Sequence, residues 1–314
     1  MKKTEPADFR LALYRGTKQF LLVLGVGVLI KFTILDSIVV NGSQMSPAVG
    51  KGDRIILFRT PYLPGLRTLM SNPSTGKPVL CRLPGKKENT LLRVAGASGD
   101  TAAIDSGTFH IGSQAPEKTD ADPQNEKVVL PADYSPRDFM DPYRIPAPGD
   151  SIRFGELSLR DFFFSFSVLR QENPESHYDL DAALFIDDTA SNTYFIKDFT
   201  LYRGTLESVP EHLRYDWFFW DRLQAYLRIT LDDRDFRLEF KITQGGDSIE
   251  GFTVQDRYLF LLGDNNEKAL DSRYYGPVNS SLVFGRPVMT LWSCAQNSAG
   301  KRTLSFSRFG RFIN

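Results

Sequence analysis

The sequence of 314 residues is poor in the side chains that most often carry metal or redox chemistry, with 2 cysteines and 3 histidines. Cys81 and Cys294 stand far apart, with neither metal-ligand spacing nor a disulfide framework. They read as two ordinary packed or free thiols, with pairing in an oxidising compartment as the alternative. His110, His177 and His212 are scattered among polar stretches, so neither a zinc site nor another metal or cofactor is expected. A net charge is also missing: 38 Lys and Arg balance 38 Asp and Glu. Nothing in that balance favours nucleic acid as a partner. Long unbroken hydrophobic runs are lacking too. The run Phe20–Ile30, FLLVLGVGVLI, is short of the roughly 20 apolar residues that a membrane span needs.

What is present begins with that run. Lys31 interrupts it and Phe32–Leu35 resume it, so residues 18–35 reach spanning length if Lys31 snorkels to the interface. Lys2, Lys3, Arg10, Arg15 and Lys18 precede it, and a basic flank stays on the cytoplasmic side. The expectation is a cytoplasmic stretch 1–17, one transmembrane helix over 18–35, and the rest outside. A buried soluble helix and a cleaved secretory signal are the alternatives. No small-x-small cleavage site follows, since the next residues read DSIVVNG.

Beyond the anchor, short β-type runs alternate with turn signals: SIVV, RIILF, TLLRVAG and RYLFLLGD. The pattern predicts a mainly β domain rather than βαβ units. Leu83–Asn89, LPGKKEN, reads as a hairpin turn. The middle differs. Ser113–Lys127 is polar and reads as a mobile loop. Asp161–Arg170 and Asp216–Arg228 are aromatic and amphipathic, and each is expected to be a helix with its aromatic face in a core.

Three segments carry chemistry-bearing residues in order. Asn41–Asp53 reads NGSQMSPAVGKGD, Arg93–Asp100 reads RVAGASGD, and Gly263–Val278 reads GDNNEKALDSRYYGPV. In the third, Asp264, Asp271 and Arg273 crowd a glycine turn after an apolar strand. Charge-assisted, bidentate hydrogen bonds among them would clamp the loop. Together the segments resemble bacterial type I signal peptidase. Met45, Pro47, Gly52 and Asp53 fit that family's first box. Arg93, Gly99 and Asp100 fit the second, with Ser98 in place of the usual Pro. Gly263, Asp264, Asn265, Asp271, Ser272, Arg273, Tyr274, Tyr275 and Gly276 fit the third. Arg144–Ile152, RIPAPGDSI, is similar to the long-insert members. The resemblance implies a signal-peptidase-like β core over 36–104 plus 252–314, and a mixed α/β insertion over 105–251.

The family cleaves signal peptides with a serine nucleophile that a neutral lysine activates. Aligned on Met45 and Pro47, the serine position is Gln44, whose amide is no nucleophile. The lysine position, just before Arg93, is Leu92, which accepts no proton. Ala269 stands where a serine steadies the lysine, and Gly42 where a hydroxyl aids the oxyanion. Ser43 and Ser46 flank the lost nucleophile. A bulge would be needed to re-aim Ser43, and it would still need a base. Lys51, Lys86 and Lys87 read as solvated.

The resemblance thus implies a single-pass protein of the bacterial cytoplasmic membrane with an extracytoplasmic domain. Its partners would be the membrane, and signal peptides of exported proteins or secretion machinery. The expected reading is a scaffold without catalysis that retains a binding role. A shifted active site on Ser43 and a purely structural role in a secretion complex are the alternatives.

Overall fold

The computed structural model describes residues 6–33, 35–59, 74–112, 136–191, 193–196, 202–206, 209–231, 234–296 and 302–313. Its centre is an antiparallel sheet. The strands run in the order Leu35–Val39, Asp53–Arg59, Val283–Gln296, Pro78–Arg82, Asn89–Ala97, Tyr258–Leu262 and Val278–Asn279. Arg302–Ser305 also pairs with Val283–Gln296. The order brings the two ends of the chain together, because Val283–Gln296 lies between Asp53–Arg59 and Pro78–Arg82. Strand alternation explains the burial. Ile55 and Leu57 are buried with exposed or half-buried neighbours, as period two requires of a sheet with one covered face. Leu83–Asn89 is the expected hairpin connection, joining Pro78–Arg82 to Asn89–Ala97.

Three turns of one design feed the strands. In Gly50–Asp53, Ala97–Asp100 and Ala147–Asp150 the third residue is a glycine at φ +90°, +93° and +93°. A type II turn needs such a positive φ there. The aspartate closes each turn twice. Its carboxylate accepts the first residue's N–H at 2.8, 2.9 and 2.8 Å, and its own N–H donates to that residue's carbonyl at 3.1, 3.0 and 3.0 Å. Gly-Asp in these segments is therefore turn chemistry.

The helix Pro6–Thr33 precedes the sheet. The expected span over 18–35 is not shown as drawn. The helix stops at Thr33, and Leu35 already pairs with Phe58 in the sheet. Asp36, expected just outside a membrane, lies in that strand and accepts Arg59 Nε at 3.0 Å. Among the described residues no helix is long and apolar enough to cross a membrane.

The middle of the chain builds smaller sheets and two aromatic helices. Thr101–Asp105 pairs with Thr108–Gly112 and Met140–Arg144. Asp179–Ile186 pairs with Thr189–Ser191 and Phe236–Gln244, which continues to Asp247–Ser248. Ser151–Arg153 pairs with Gly251–Thr253, and Thr193–Ile196 with Tyr202–Thr205. The two expected helices span Leu159–Glu172 and Trp217–Thr230. Ser158 and Asp216 cap them by accepting the N–H of Asp161 and of Phe218, each cap being worth about 1 kcal/mol. Their aromatic faces are core, as expected: Phe162, Phe163, Phe164, Phe166, Trp217 and Trp220 are buried. Fully burying one such side chain contributes about 1.5–3 kcal/mol. The same apolar cluster includes Tyr258 and Phe260 of the central sheet, so the middle segment and that sheet share a core. Ser113–Lys127, expected as a mobile loop, lies outside the described residues.

Cys81 and Cys294 are both free thiols. Burial pushes the Cys81 thiol up to about 12, so it packs as a small hydrophobe.

The helix Leu159–Glu172 docks directly on the end of the third segment. Gly276, at φ +76°, has no room for a side chain: a β-carbon there would lie 3.0 Å from Phe164 Cδ1. Gly276→Ala is expected to destabilise the chain by about 1–3 kcal/mol, because strain at positive φ adds to the contact with Phe164. Chemical denaturation of the detergent-solubilised chain measures it, and a change below about 0.5 kcal/mol would mean that the helix yields.

Candidate functional site

The three sequence segments converge at Asp264 and Asn265. The Asn265 N–H donates to the Gln44 carbonyl at 2.8 Å, and its side-chain amide donates to the Ser43 carbonyl at 3.3 Å. These bonds tie the first segment to the third. Arg93 ties the second segment to the third. Its Nε and Nη2 donate to the two oxygens of Asp264 at 2.7 and 2.8 Å, and Nη1 donates to the Gly76 carbonyl. The Asp264 hydrogen bond holds the Arg93 guanidinium above its ordinary range.

The expected clamp of Asp264, Asp271 and Arg273 needs a correction. Arg273 does not hold Asp264, which Arg93 takes instead. Asp271 and Arg273 form a separate, completely buried pair with side-chain exposures of 0% and 1%. Arg273 Nε and Nη2 donate to the two Asp271 oxygens at 2.8 and 2.7 Å. Asp271 also accepts the N–H of Gly263 and of Arg273, and Arg273 Nη1 reaches Asn266 Oδ1. A buried charge needs such saturation. Sequence spacing placed the three charges together, but it could not assign partners among them.

Gly263 lies close against the first segment. A β-carbon on it would lie 2.4 Å from Ala269 Cβ and 2.8 Å from the Gln44 carbonyl. Ala269, the position expected of a steadying serine, is buried. Ser272 Oγ accepts the Leu261 N–H at 2.9 Å and pins the short helix Ser272–Tyr275 to the central sheet. Met45 is buried in the cluster with Val40, Val49 and Ile55, and Pro47 follows a cis peptide. Asp53 is buried and accepts Ser293 Oγ at 2.5 Å and Arg308 Nη1 at 3.0 Å. Asp100 serves its turn. Asp53 and Asp100 thus organise the scaffold around the site.

At the dyad positions the chemistry is absent. Leu92 is 0% exposed, packed with Val79, Cys81, Val94 and Leu261. The Gln44 side chain folds back over Gly42, so that a β-carbon at 42 would lie 1.9 Å from Gln44 Oε1. Gln44 as it lies here is compatible only with glycine at 42. Among the described residues no lysine, histidine or carboxylate hydrogen-bonds the Ser43 hydroxyl. Lys86 instead sits over the Tyr275 ring, 4.9 Å from its centroid. His110 is exposed, and His177 pairs with Asp179 at the surface. No group of described residues could hold a metal ion.

Sequence reasoning missed the residues of the middle segment that hold the third box. Trp217 Nε1 donates to the Arg273 carbonyl at 3.2 Å, and Ser167 Oγ to the Tyr275 carbonyl at 3.3 Å. Gln171 donates to the Pro277 carbonyl at 3.0 Å and accepts the Asn279 N–H at 2.8 Å. The only signal was Ser167 and Gln171, four apart and so on one face of the helix.

Sheet turns built on Gly-Asp, a strand-borne Arg clamping Asp264 and a buried Asp–Arg pair make up the scaffold of the site. The family described as signal peptidase, peptidase S26, matches residues 13–292. The chain therefore belongs to the signal peptidase family. No curated protein matches it.

Arg273→Ala is expected to cost about 3–5 kcal/mol, since Asp271 would be left charged and buried. Arg273→Met with Asp271→Leu should recover much of that loss, because a buried pair replaced by apolar groups is often neutral. Arg93→Ala leaves a partly exposed Asp264 and should cost less, about 1–3 kcal/mol. Thermal or urea unfolding ranks the variants, and an Arg273→Ala loss no larger than that of Arg93→Ala would contradict the role given to the buried pair.

Proposed function

We propose that this chain is a non-catalytic signal peptidase family protein that binds signal segments of exported proteins, or secretion machinery, beside a membrane. The observation that carries the reading is the pair of dyad positions. Leu92 is sealed in an apolar cluster, and the Gln44 amide lies over Gly42. A serine attacks only when a neighbouring base takes its proton, and no such base stands at either position. Family membership supports a scaffold shaped for extended peptides, which add to sheets through main-chain hydrogen bonds.

The membrane reading rests on the helix Pro6–Thr33. Phe20, Leu21, Leu22, Val23, Leu24, Val26 and Val28 are all exposed on it. A helix that is apolar on every side belongs in an apolar surround. Together with the basic N-terminal flank it supports a single-pass anchor, N-terminus inside, in a bacterial cytoplasmic membrane. The chain is then expected to stay with the membrane pellet after alkaline carbonate treatment, and protease added outside spheroplasts to degrade the large domain. Release by carbonate, or protection in spheroplasts, would count against the anchor and its orientation.

The catalytic test is preprotein processing by purified, detergent-solubilised chain. The natural chain is expected not to cleave. Gln44→Ser should stay inactive because Leu92 supplies no base. Leu92→Lys should be inactive and destabilised, since burial among apolar residues lowers a lysine pKa by up to about 3–5 units. That same shift suits a catalytic lysine, so Gln44→Ser with Leu92→Lys is the combination expected to show faint activity, aided by Ala269→Ser. Gly42 still gives the oxyanion no hydroxyl, a loss of about 10²–10³ in rate. Robust cleavage by the natural chain, abolished by Ser43→Ala, would overturn the reading. Photo-crosslinking of a signal peptide to position 44 tests the binding role itself.

A further inference from the structure

The hairpin formed by Phe236–Gln244 and Asp247–Ser248 comes apart just beyond its turn. Thr243 and Gln244 pair with Ser248 and Asp247, and the Ile249 N–H still donates to the Ile242 carbonyl at 2.9 Å. The chain then leaves, and Gly251–Thr253 pairs with Ser151–Arg153 instead. The other edge of Phe236–Gln244 is taken by Asp179–Ile186. Because the Ile242 carbonyl points away from that neighbour, period two sends the N–H and C=O of Phe240, Leu238 and Phe236 the same way. Among the described residues no backbone group bonds to them.

Between the splayed strands lies a groove of about 750 Å³. Its floor is aromatic. Phe154 contacts Phe162 and Phe252 at 5.3 and 5.9 Å between ring centroids, and Phe162 contacts Phe240 at 5.6 Å. Its rim is balanced in charge. Arg153 pairs with Glu156, and Lys241 stands with Glu250 among the lining residues. Arg237, Glu239 and Lys241 are exposed on this strand. Proteins protect free strand edges from other chains by pairing, covering, charging or twisting them, and here the edge of Phe236–Phe240 runs into the groove at Phe240.

We infer that this groove takes an extended, uncharged peptide segment of another protein, which adds as a strand to the free edge of Phe236–Phe240. The free N–H and C=O groups select an extended backbone rather than a helix. The aromatic floor selects apolar side chains at alternate positions. The neutral rim offers no excess charge to a strongly acidic or basic segment. The site lies on the middle segment, apart from Gln44 and Leu92, and does not depend on the function proposed above.

The experiment uses the intact, detergent-solubilised chain and a fluorescent peptide of alternating valine and threonine. Saturable binding is expected, with slowed hydrogen exchange at the Leu238 and Phe240 amides. The same peptide N-methylated on every residue, and so without N–H donors on either edge, should bind at least about tenfold more weakly. Thr253→Arg places a long side chain from an exposed lining position into the groove, and should weaken binding without changing the melting temperature. The peptide arm stands even if that variant misfolds. No binding up to about 1 mM, equal binding of the N-methylated peptide, or unchanged exchange at Leu238 and Phe240 would each overturn the inference. Signal-peptide crosslinking at position 44 should be indifferent to Thr253→Arg.

Discussion

The buried pair of Asp271 and Arg273 is the constraint on which the rest of the site depends. Two charges taken out of water are tolerated only when their hydrogen-bonding capacity is filled. Filling it dictates the local chain. Asp271 draws in the Gly263 N–H, Arg273 reaches Asn266, and the Arg273 carbonyl is met by Trp217. The loop between Gly263 and Asp271 is thereby closed on itself. Only a closed loop presents Asp264 to Arg93 and Asn265 to the carbonyls of Ser43 and Gln44. The pair secures the shape of the site, whether or not chemistry follows.

The scaffold of the site is held by residues other than those at the positions that the resemblance assigns to nucleophile and base. Arg93 and Asn265 tie the three segments together, and Asp53, Asp100, Asp271, Ser272 and Arg273 hold the shape of the chain around them. None of them must move a proton. The positions that would must satisfy different physics. Leu92 lies in the apolar cluster of Val79, Val94 and Leu261, where a leucine is stabilised by burial and a lysine would be stripped of solvent. The Gln44 side chain folds over Gly42, where a β-carbon would require the glutamine to turn away.

Much of the scaffold could be read before any fold was known. Gly-Asp turns are local, and a strand pattern is a property of the neighbouring residues, so the hairpin Leu83–Asn89 and the strands around it were legible. The two aromatic helices were legible for the same reason. What failed was pairing. Asp264, Asp271 and Arg273 look like one triad in sequence, because spacing measures proximity and not direction. The sheet register puts Arg93 opposite Leu262, one strand away, and that long-range neighbour captures Asp264. The start of the sheet at Leu35 was missed for a related reason: apolar residues continue from helix into strand with no local break.

The sequence alone determined the residue chemistry: three ordered segments, turn glycines before aspartates, a glutamine and a leucine where a nucleophile and a base would stand, and an apolar stretch behind a basic flank. The segments and the apolar stretch follow from composition and spacing, and the reading of Gln44 and Leu92 is what the family resemblance implies; neither needs a fold. Only the tertiary structure decided which carboxylate Arg93 and Arg273 hold, that the middle segment grips the third box through Ser167, Gln171 and Trp217, and that Phe236–Phe240 has no partner on one edge among the described residues. Each of these joins residues far apart in the chain. Their contact depends on sheet order and helix docking, and no local pattern of side chains encodes that.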